Sequence, residues 1–407
     1  MEISVEKLDF SNIDERLTHL TNDSVVELIK KYYDGIKVSE LLVEYKINVN
    51  PSQLYTLFPP LKLENKCKIC NSPSVYYFES KTSYSYSNFS DKMNTTDIEC
   101  GVCGHKENNR FCKCEYCISE RKRIRDEEEE NQKKQQARKK KEIDRLYSED
   151  KWEKVSEIDL CLEDRLYLAV LMRSSLSEVG TYIEALENKI DILAPTDNFR
   201  ASIVRTLSRK NILIPHTNSN LDSFEVLEDR VGYHIYGVNY RINIEPADNN
   251  YEEMIKRLMY PDSNLFEDDK DFCFQMWKKI ALHECLEYLL YKMDKVGYSF
   301  NPGEKTINVF EHLLENFSVA QIYNIIYRAI AYSTVRYQAK EVTKFHAQNL
   351  VISSCEKQGE RAIADKWNLK PYTRIKDLPQ TMVSEIFFTS ILKISELGFM
   401  EKPTRDL

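Results

Sequence analysis

Apolar residues recur at helical spacing along most of the chain, and the breaks in that rhythm mark its modules. Residues 23–58 hold three short amphipathic runs. The first carries Val25, Val26, Leu28, Ile29, Tyr32 and Tyr33 and stops at Asp34-Gly35. The second carries Leu41, Leu42 and Tyr45, and the third carries Leu54, Leu57 and Phe58 before Pro59-Pro60. Asp23 and Ser39 are the expected N-caps, and Pro51 suits a first helical position. Further on, a helix over 162–172 turns Leu166, Leu168, Ala169, Leu171 and Met172 inward. A second helix is expected over 177–186. A third, over 198–209, gathers Ile203, Val204 and Leu207 on one face, and strand-like runs at 212–215 and 237–244 follow. From 250 onward the pattern is helical throughout, with strong runs at 272–293, 306–317, 318–337, 345–367 and 382–397. Ser318 and Gln321 form a capping box. One bundle is expected around Ile280, Leu282, Leu286, Leu289, Ile322, Ile325, Ile326, Ile330 and Leu350.

Two stretches depart from this rhythm. Residues 67–117 carry seven of the eleven cysteines, and the region around 75–78 alternates as a β-hairpin does. Residues 119–150 are almost wholly charged, lack Gly and Pro, and pair Glu129 with Lys133 and Glu130 with Lys134 at i,i+4. That composition predicts a solvated helical connector. The expected fold is therefore mainly α and multi-domain. Residues 1–62 form a helix-turn-helix-like unit, 63–118 a small β zinc ribbon, 119–154 the connector, 155–248 a winged-helix-like domain and 249–407 a helical bundle.

The cysteine spacing carries the clearest chemistry. Cys67-x2-Cys70 and Cys100-x2-Cys103 supply four thiolates in two tight knuckles, the set that closes a tetrahedral zinc shell. Gly104 frees the backbone to turn before His105. Cys112, Cys114 and Cys117, with His105, complete a second four-ligand set, for which iron–sulfur is the alternative to zinc. Shells made of cysteine alone are closed, so the metal is expected to build the fold and not to drive a reaction. The loop between the knuckles is rich in aromatics: Tyr76, Tyr77, Phe78, Tyr84, Tyr86 and Phe89. They either cover a thin sheet or stack on a partner.

Composition narrows the partners. Ten glycines in 407 residues count against nucleotide-binding folds built on glycine turns. A net charge of −8 excludes a basic envelope, so any DNA contact must be local. Two places qualify. In the N-terminal unit, Ser52, Gln53, Tyr55 and Thr56 lie on the exposed side of the third helix. In the second module, Arg200, Arg205, Arg209 and Lys210 lie on or beside the third helix, where arginines reach base edges or phosphates. The basic blocks at 121–125 and 138–141 offer a further phosphate grip. The C-terminal bundle is the expected surface for a protein partner or a second copy. No run is long and apolar enough to span a bilayer, no signal peptide opens the chain, and a cytoplasmic location is expected.

Candidate catalytic groups are sparse. His283-Glu284-x2-Glu287 with His346 can hold a metal or move protons, but HExxH is absent. Pro261-Asp262 with Asp268-x-Lys270 has nuclease-like spacing without the apolar strands that such a site needs. The three short N-terminal helices are similar to the helix-turn-helix of site-specific recombinases and transposases. The full module order, with Cys-Gly-x-Cys-Gly-His at 100–105, Cys-x-Cys-x2-Cys at 112–117, Phe345-His-Ala-Gln-Asn and Gly359-Glu-Arg-Ala, resembles zinc-ribbon/helix-turn-helix proteins of bacterial mobile elements and phage-defence loci. The resemblance implies a role beside DNA or within a larger assembly and supplies no catalytic residue. The leading expectation is a non-enzymatic, zinc-dependent DNA-binding or adaptor protein. The alternatives are a protein-only scaffold subunit of a defence complex and a metal-dependent hydrolase or nuclease with its site in the C-terminal bundle.

Overall fold

Capping decides where the first helices begin. Thr21, not Asp23, caps α1 (Asn22–Tyr33), its hydroxyl accepting from the Ser24 N–H; Asp23 falls in the first turn, where its charge suits the helix dipole. Gly35, with φ +95°, turns the chain out of this helix. α2 (Val38–Glu44) follows Lys37 without a side-chain cap, so Ser39 sits inside it. The expected third α-helix is instead a 3-10 helix, Pro51–Leu57. Its side chains bond locally: Asn50 accepts from the Ser52 N–H and hydroxyl, and the Thr56 hydroxyl donates to the Gln53 carbonyl. Such local bonds compete with α geometry, and Pro59-Pro60 forbids further turns.

The structure, a computed structural model, describes residues 3–85, 98–107, 109–187, 189–227 and 230–406. It is mainly helical, 56% helix against 9% strand. The chain divides into two units, Met1–Gln135 and Gln136–Leu407.

In the first unit, α1, α2 and the 3-10 helix close over Val25, Leu28, Ile29, Tyr32, Leu41, Leu54, Leu57 and Phe58. A small antiparallel sheet adds Leu61, Tyr76 and Phe78 to that core. It consists of β1 (Leu61–Lys66), β2 (Pro73–Tyr76) and β3 (Glu99–Cys100), with β2 in the middle. Phe58 meets Tyr32 and Phe78 edge-on. Tyr76 and Phe78 thus cover the sheet, Tyr77 is exposed, and Tyr86 and Phe89 lie outside the described residues. α3 (Glu115–Tyr147) has 33 residues, crosses the division after Gln135, and buries only Ile143 and Tyr147, at its C-terminal end, in the core of the second unit. The rest is solvated, as its charge pattern requires.

The second unit has one continuous core that runs through both the 155–248 and the 249–407 stretches. α4 (Leu162–Ser175) lies in it with Leu166 to Met172 all buried. The expected helix over 177–186 is a turn at Gly180, φ +74°, followed by β4 (Tyr182–Ile183). Then come the short α5 (Ile190–Leu193), α6 (Asp197–Arg209) and β5 (Leu213–Pro215). A hairpin, β6 (Phe224–Val226) and β7 (Val231–Tyr233), precedes β8 (Tyr240–Ile242). β8 lies between β4 and β5, antiparallel to both. The hairpin packs on the end of α3, where Tyr147 touches Phe224 and Tyr233 and stacks on Trp152. α7 (Tyr251–Met259) leads to the long α8 (Lys270–Lys295). α9 (Glu304–Leu314), α10 (Val319–Gln338) and α11 (Lys344–Ala364) complete the bundle, with Ser318 and Gln321 forming the capping box at α10.

A final segment seals the bundle. The indole N–H of Trp277 donates to the Gly398 carbonyl at 2.9 Å, and a Cβ at Gly398 would stand 2.3 Å from the buried Phe388 ring. Gly398→Ala should therefore lower the stability of the second unit by roughly 1–3 kcal/mol, the usual cost of forcing a packed core apart. Urea unfolding followed by Trp fluorescence checks this; an unchanged midpoint would show that the ring yields freely.

Candidate metal centres

The two cysteine knuckles are built alike. After Cys70 the chain turns left-handed at Asn71, φ 58°; after Cys103 it does so at Gly104, φ 66°. In each, the turn residue's N–H returns to the carbonyl of the knuckle's first cysteine: Asn71 to Cys67 at 2.9 Å and Gly104 to Cys100 at 3.0 Å. Amides inside the knuckles point at sulfur, with Ile69 N–H donating to Cys67 Sγ and Cys103 N–H to Cys100 Sγ. β2 pairs with β3 through Ser74 and Cys100, and the Cys67 N–H bonds to the Ser72 carbonyl, so the sheet sets the distance between the knuckles.

The sulfurs converge. Cys67 and Cys103 are 3.6 Å apart, Cys70 and Cys100 3.3 Å, and Cys70 and Cys103 3.5 Å. A disulfide needs about 2.05 Å, whereas a tetrahedron with metal–sulfur bonds of about 2.3 Å puts its corners roughly 3.8 Å apart. The spacing belongs to the second case. His105 turns Nδ1 toward three more sulfurs: Cys112 at 3.7 Å, Cys114 at 3.6 Å and Cys117 at 3.3 Å. Among the described residues, these two groups of four are the only sets of three or more His, Cys or carboxylate groups with all ligand atoms within 4.8 Å, and each can hold a metal ion. The second set sits at the start of α3. Cys114 immediately precedes the helix, Cys117 lies in its first turn, and the Cys117 N–H donates to Cys114 Sγ. Arg121, one turn on, binds the Arg110 and Cys112 carbonyls and pins the loop.

The thiols of each group differ widely in acidity. Hydrogen bonds led by the Ser72 side chain pull the Cys70 thiol down to about 6. Burial holds Cys103 well above the ordinary thiol range, and burial together with the neighbouring thiols raises Cys117 to about 12. Cys112 falls to about 6 against the effect of burial, through the amides of Lys106 and Cys114. Each set thus gives up a first proton readily and holds another hard. Four thiolates in the first set, or three in the second, repel one another in so small a volume, and a metal ion would relieve that repulsion.

The other candidate residues are scattered. Ser52, Gln53 and Thr56 are exposed on the 3-10 helix, and Tyr55 packs half-buried against the first core. Arg205 and Arg209 are exposed on α6. Arg200 is buried at the same helix's start, donating to the Ala194 and Pro195 carbonyls and pairing with Asp197, so it faces the protein and not solvent. Lys210 pairs with the buried carboxylate of Asp164 at 2.7 Å. The bundle residues do not converge either. The His283 Nδ1 bonds to the Thr196 hydroxyl at 2.6 Å, His346 is exposed at the start of α11, and Glu284 is buried against Arg374 at 2.7 Å and the Ser384 hydroxyl at 2.9 Å. Glu284 is the internal partner of an arginine. Arg374 carries no local signal of that pairing. Asn71 does carry one, because asparagine is the residue after glycine that best tolerates a left-handed turn.

No protein-family model matches the chain, and no curated protein or solved structure does.

Two outcomes follow. Elemental analysis of the purified protein should find two metal ions per chain; Cys70→Ser and Cys114→Ser should each remove one, and Cys161→Ser none. One ion or fewer in the wild type would overturn the two-centre geometry. Burial lowers the His283 pKa from 6.5 to about 4. The folded state therefore holds this ring neutral. Its contribution is full above pH 6.5 and is lost as pH falls toward 4, on the order of 3 kcal/mol in all. Chemical denaturation across that window should show the extra acid sensitivity in the wild type and not in His283→Gln.

Proposed function

We propose that the chain is a zinc-organised, non-enzymatic adaptor that contacts duplex DNA. Zinc suits the donors. Four thiolates in one set, and three with an imidazole in the other, match closed structural zinc sites and leave no open coordination position for a substrate. One observation carries the DNA part. α6 buries Ile203, Val204 and Leu207 and presents Arg205 and Arg209 to solvent. It does so within the order helix, strand, helix, helix, strand, separate hairpin, strand, with the last strand between the first two. That connectivity supports a winged-helix reading, in which α6 enters the major groove and the arginines meet phosphates or guanine edges. The helix-turn-helix reading of the N-terminal unit rests on α1, α2 and the 3-10 helix that bears Gln53. The bundle then docks a partner or a second copy, in the cytoplasm of a bacterium, at a mobile-element or defence locus.

A protein-only scaffold is the second reading, and a specific observation favours it. Arg200 and Lys210 are engaged inside the fold, which halves the basic cluster on a chain of net charge −8. The hydrolase alternative has no gathered site to support it among the described residues, since His283 bonds to Thr196, Glu284 to Arg374, and His346 is exposed.

Mobility shift with random duplex at low salt separates the two surviving readings. Micromolar protein should retain the duplex. The Arg205→Ala/Arg209→Ala variant should bind about tenfold or more weakly and reduce the slope of log K against log salt by about 2. No retention by the wild type would leave the scaffold, and retention with unchanged slope in the variant would remove these arginines from the interface.

A further inference from the structure

α10 and α11 pack side by side, and one face of the pair differs sharply from the rest of this acidic molecule. A hollow of about 450 Å³ opens there, lined by Arg328, Tyr332 and Arg336 from α10, Ser354, Lys357, Gln358 and Arg361 from α11, and Trp367 beyond it. Four of the lining side chains are cationic and none is acidic. Arg336 is engaged by Glu341 at 2.8 Å. Among the described residues, Arg328, Lys357 and Arg361 make no ion pair within 4.0 Å. All three are exposed. Lys357 and Arg361 stand at i,i+4, a spacing at which like charges repel. An unpaired cluster of this kind, on a chain with 65 acidic residues, is complementary to an anion.

The aromatic wall is equally specific. α11 ends in a two-bond reversal: Lys366 adopts φ 51°, its N–H reaches the Ile363 carbonyl, and the Trp367 N–H returns to the Ala362 carbonyl. This fixes Trp367 at the rim, where the Arg328 guanidinium lies 5.1 Å from the indole centroid. Tyr332, half-exposed, flanks the other side with Arg336 at 5.8 Å. At the floor, the buried Ser354 accepts a hydrogen bond from the Gln358 amide at 3.1 Å. Planar rings beside unpaired guanidinium groups match a molecule that is both flat and multiply charged. The volume lies in the range of small-ligand pockets, about 300–1,000 Å³.

We propose that this hollow binds a free nucleotide, with its phosphates held by Arg328, Lys357 and Arg361 and its base against Trp367 and Tyr332. Guanidinium groups grip phosphate oxygens in pairs, and base–aromatic stacking supplies the neutral half of the affinity. The site is independent of the metal centres and of the α6 arginines.

Calorimetry with the full-length protein tests this, using ADP, adenosine, pyrophosphate and decathymidylate as probes. ADP should bind with a Kd on the order of 10–100 µM, and at least tenfold more tightly than adenosine or pyrophosphate. Arg328→Ala and Arg361→Ala should each weaken ADP about tenfold with an unchanged circular dichroism spectrum, since both side chains are exposed. Trp367→Ala should weaken ADP and leave pyrophosphate as it was; if that variant misfolds, Tyr332→Ala provides the same comparison. Absence of ADP heat at millimolar concentration overturns the proposal, as does ADP binding that ignores both arginine substitutions. Decathymidylate binding tenfold more tightly than ADP and lost in Arg361→Ala would assign the hollow to a nucleic-acid strand and overturn the free-nucleotide assignment. Arg205→Ala/Arg209→Ala should leave ADP binding unchanged, which keeps this result separate from the duplex experiment.

Discussion

Convergence of thiols on two points is the constraint from which the N-terminal unit takes its form. Its sheet has strands of six, four and two residues, too little to hold a register by itself. The knuckles supply what the strands lack, because each fixes two sulfurs on a tight turn and the paired strands bring the turns face to face. The second centre does the same for α3, where Cys114 and Cys117 bracket the first turn. Starting a helix orders several residues for one hydrogen bond, and most of α3 has no packing to offset that cost. The convergence of Cys114 and Cys117 on His105 at the first turn and the burial of Ile143 and Tyr147 at the far end restrain what the solvated middle cannot.

The second unit follows a different rule. Its core is continuous, and polar groups enter it only with partners. Glu284 meets Arg374 and Ser384, His283 meets Thr196, and Arg200 meets the Ala194 and Pro195 carbonyls just before its own helix. Removing one member of a buried pair strands the other, so these contacts specify the fold more than they stabilise it. The arrangement also decides which cations remain for recognition, since Arg200 and Lys210 are used inside while Arg205 and Arg209 are not.

Much of this was legible residue by residue. Thiol spacing named both metal sets, because a CxxC turn is a local object whose geometry needs nothing distant. Helix periodicity found the bundle, and Ser318 with Gln321 marked a helix start correctly. Reading failed where distant contacts or competing local bonds decide. Residues 177–186 read as a helix, yet Gly180 turns the chain and β8, some sixty residues away, claims the segment as a strand partner. The third N-terminal helix tightened to 3-10 geometry under its own Ser, Thr and Asn side chains. His283 and Glu284 looked like a site because adjacency in sequence says nothing of Thr196 and Arg374, which occupy them. The cationic hollow also escaped notice, since Arg328 and Arg361 are 33 positions apart and share no motif.

The left-handed turns after Cys70 and Cys103 have a chemical sequel. One is glycine, inert in this respect. The other is Asn71, followed by Ser72, whose hydroxyl also serves the Cys70 sulfur. A small hydroxylated neighbour leaves the asparagine amide open to attack by the next backbone nitrogen, which needs freedom that a clamped knuckle denies. An ion held by Cys67, Cys70, Cys100 and Cys103 would restrain that turn, and so guard the covalent integrity of the residue that helps to shape its seat.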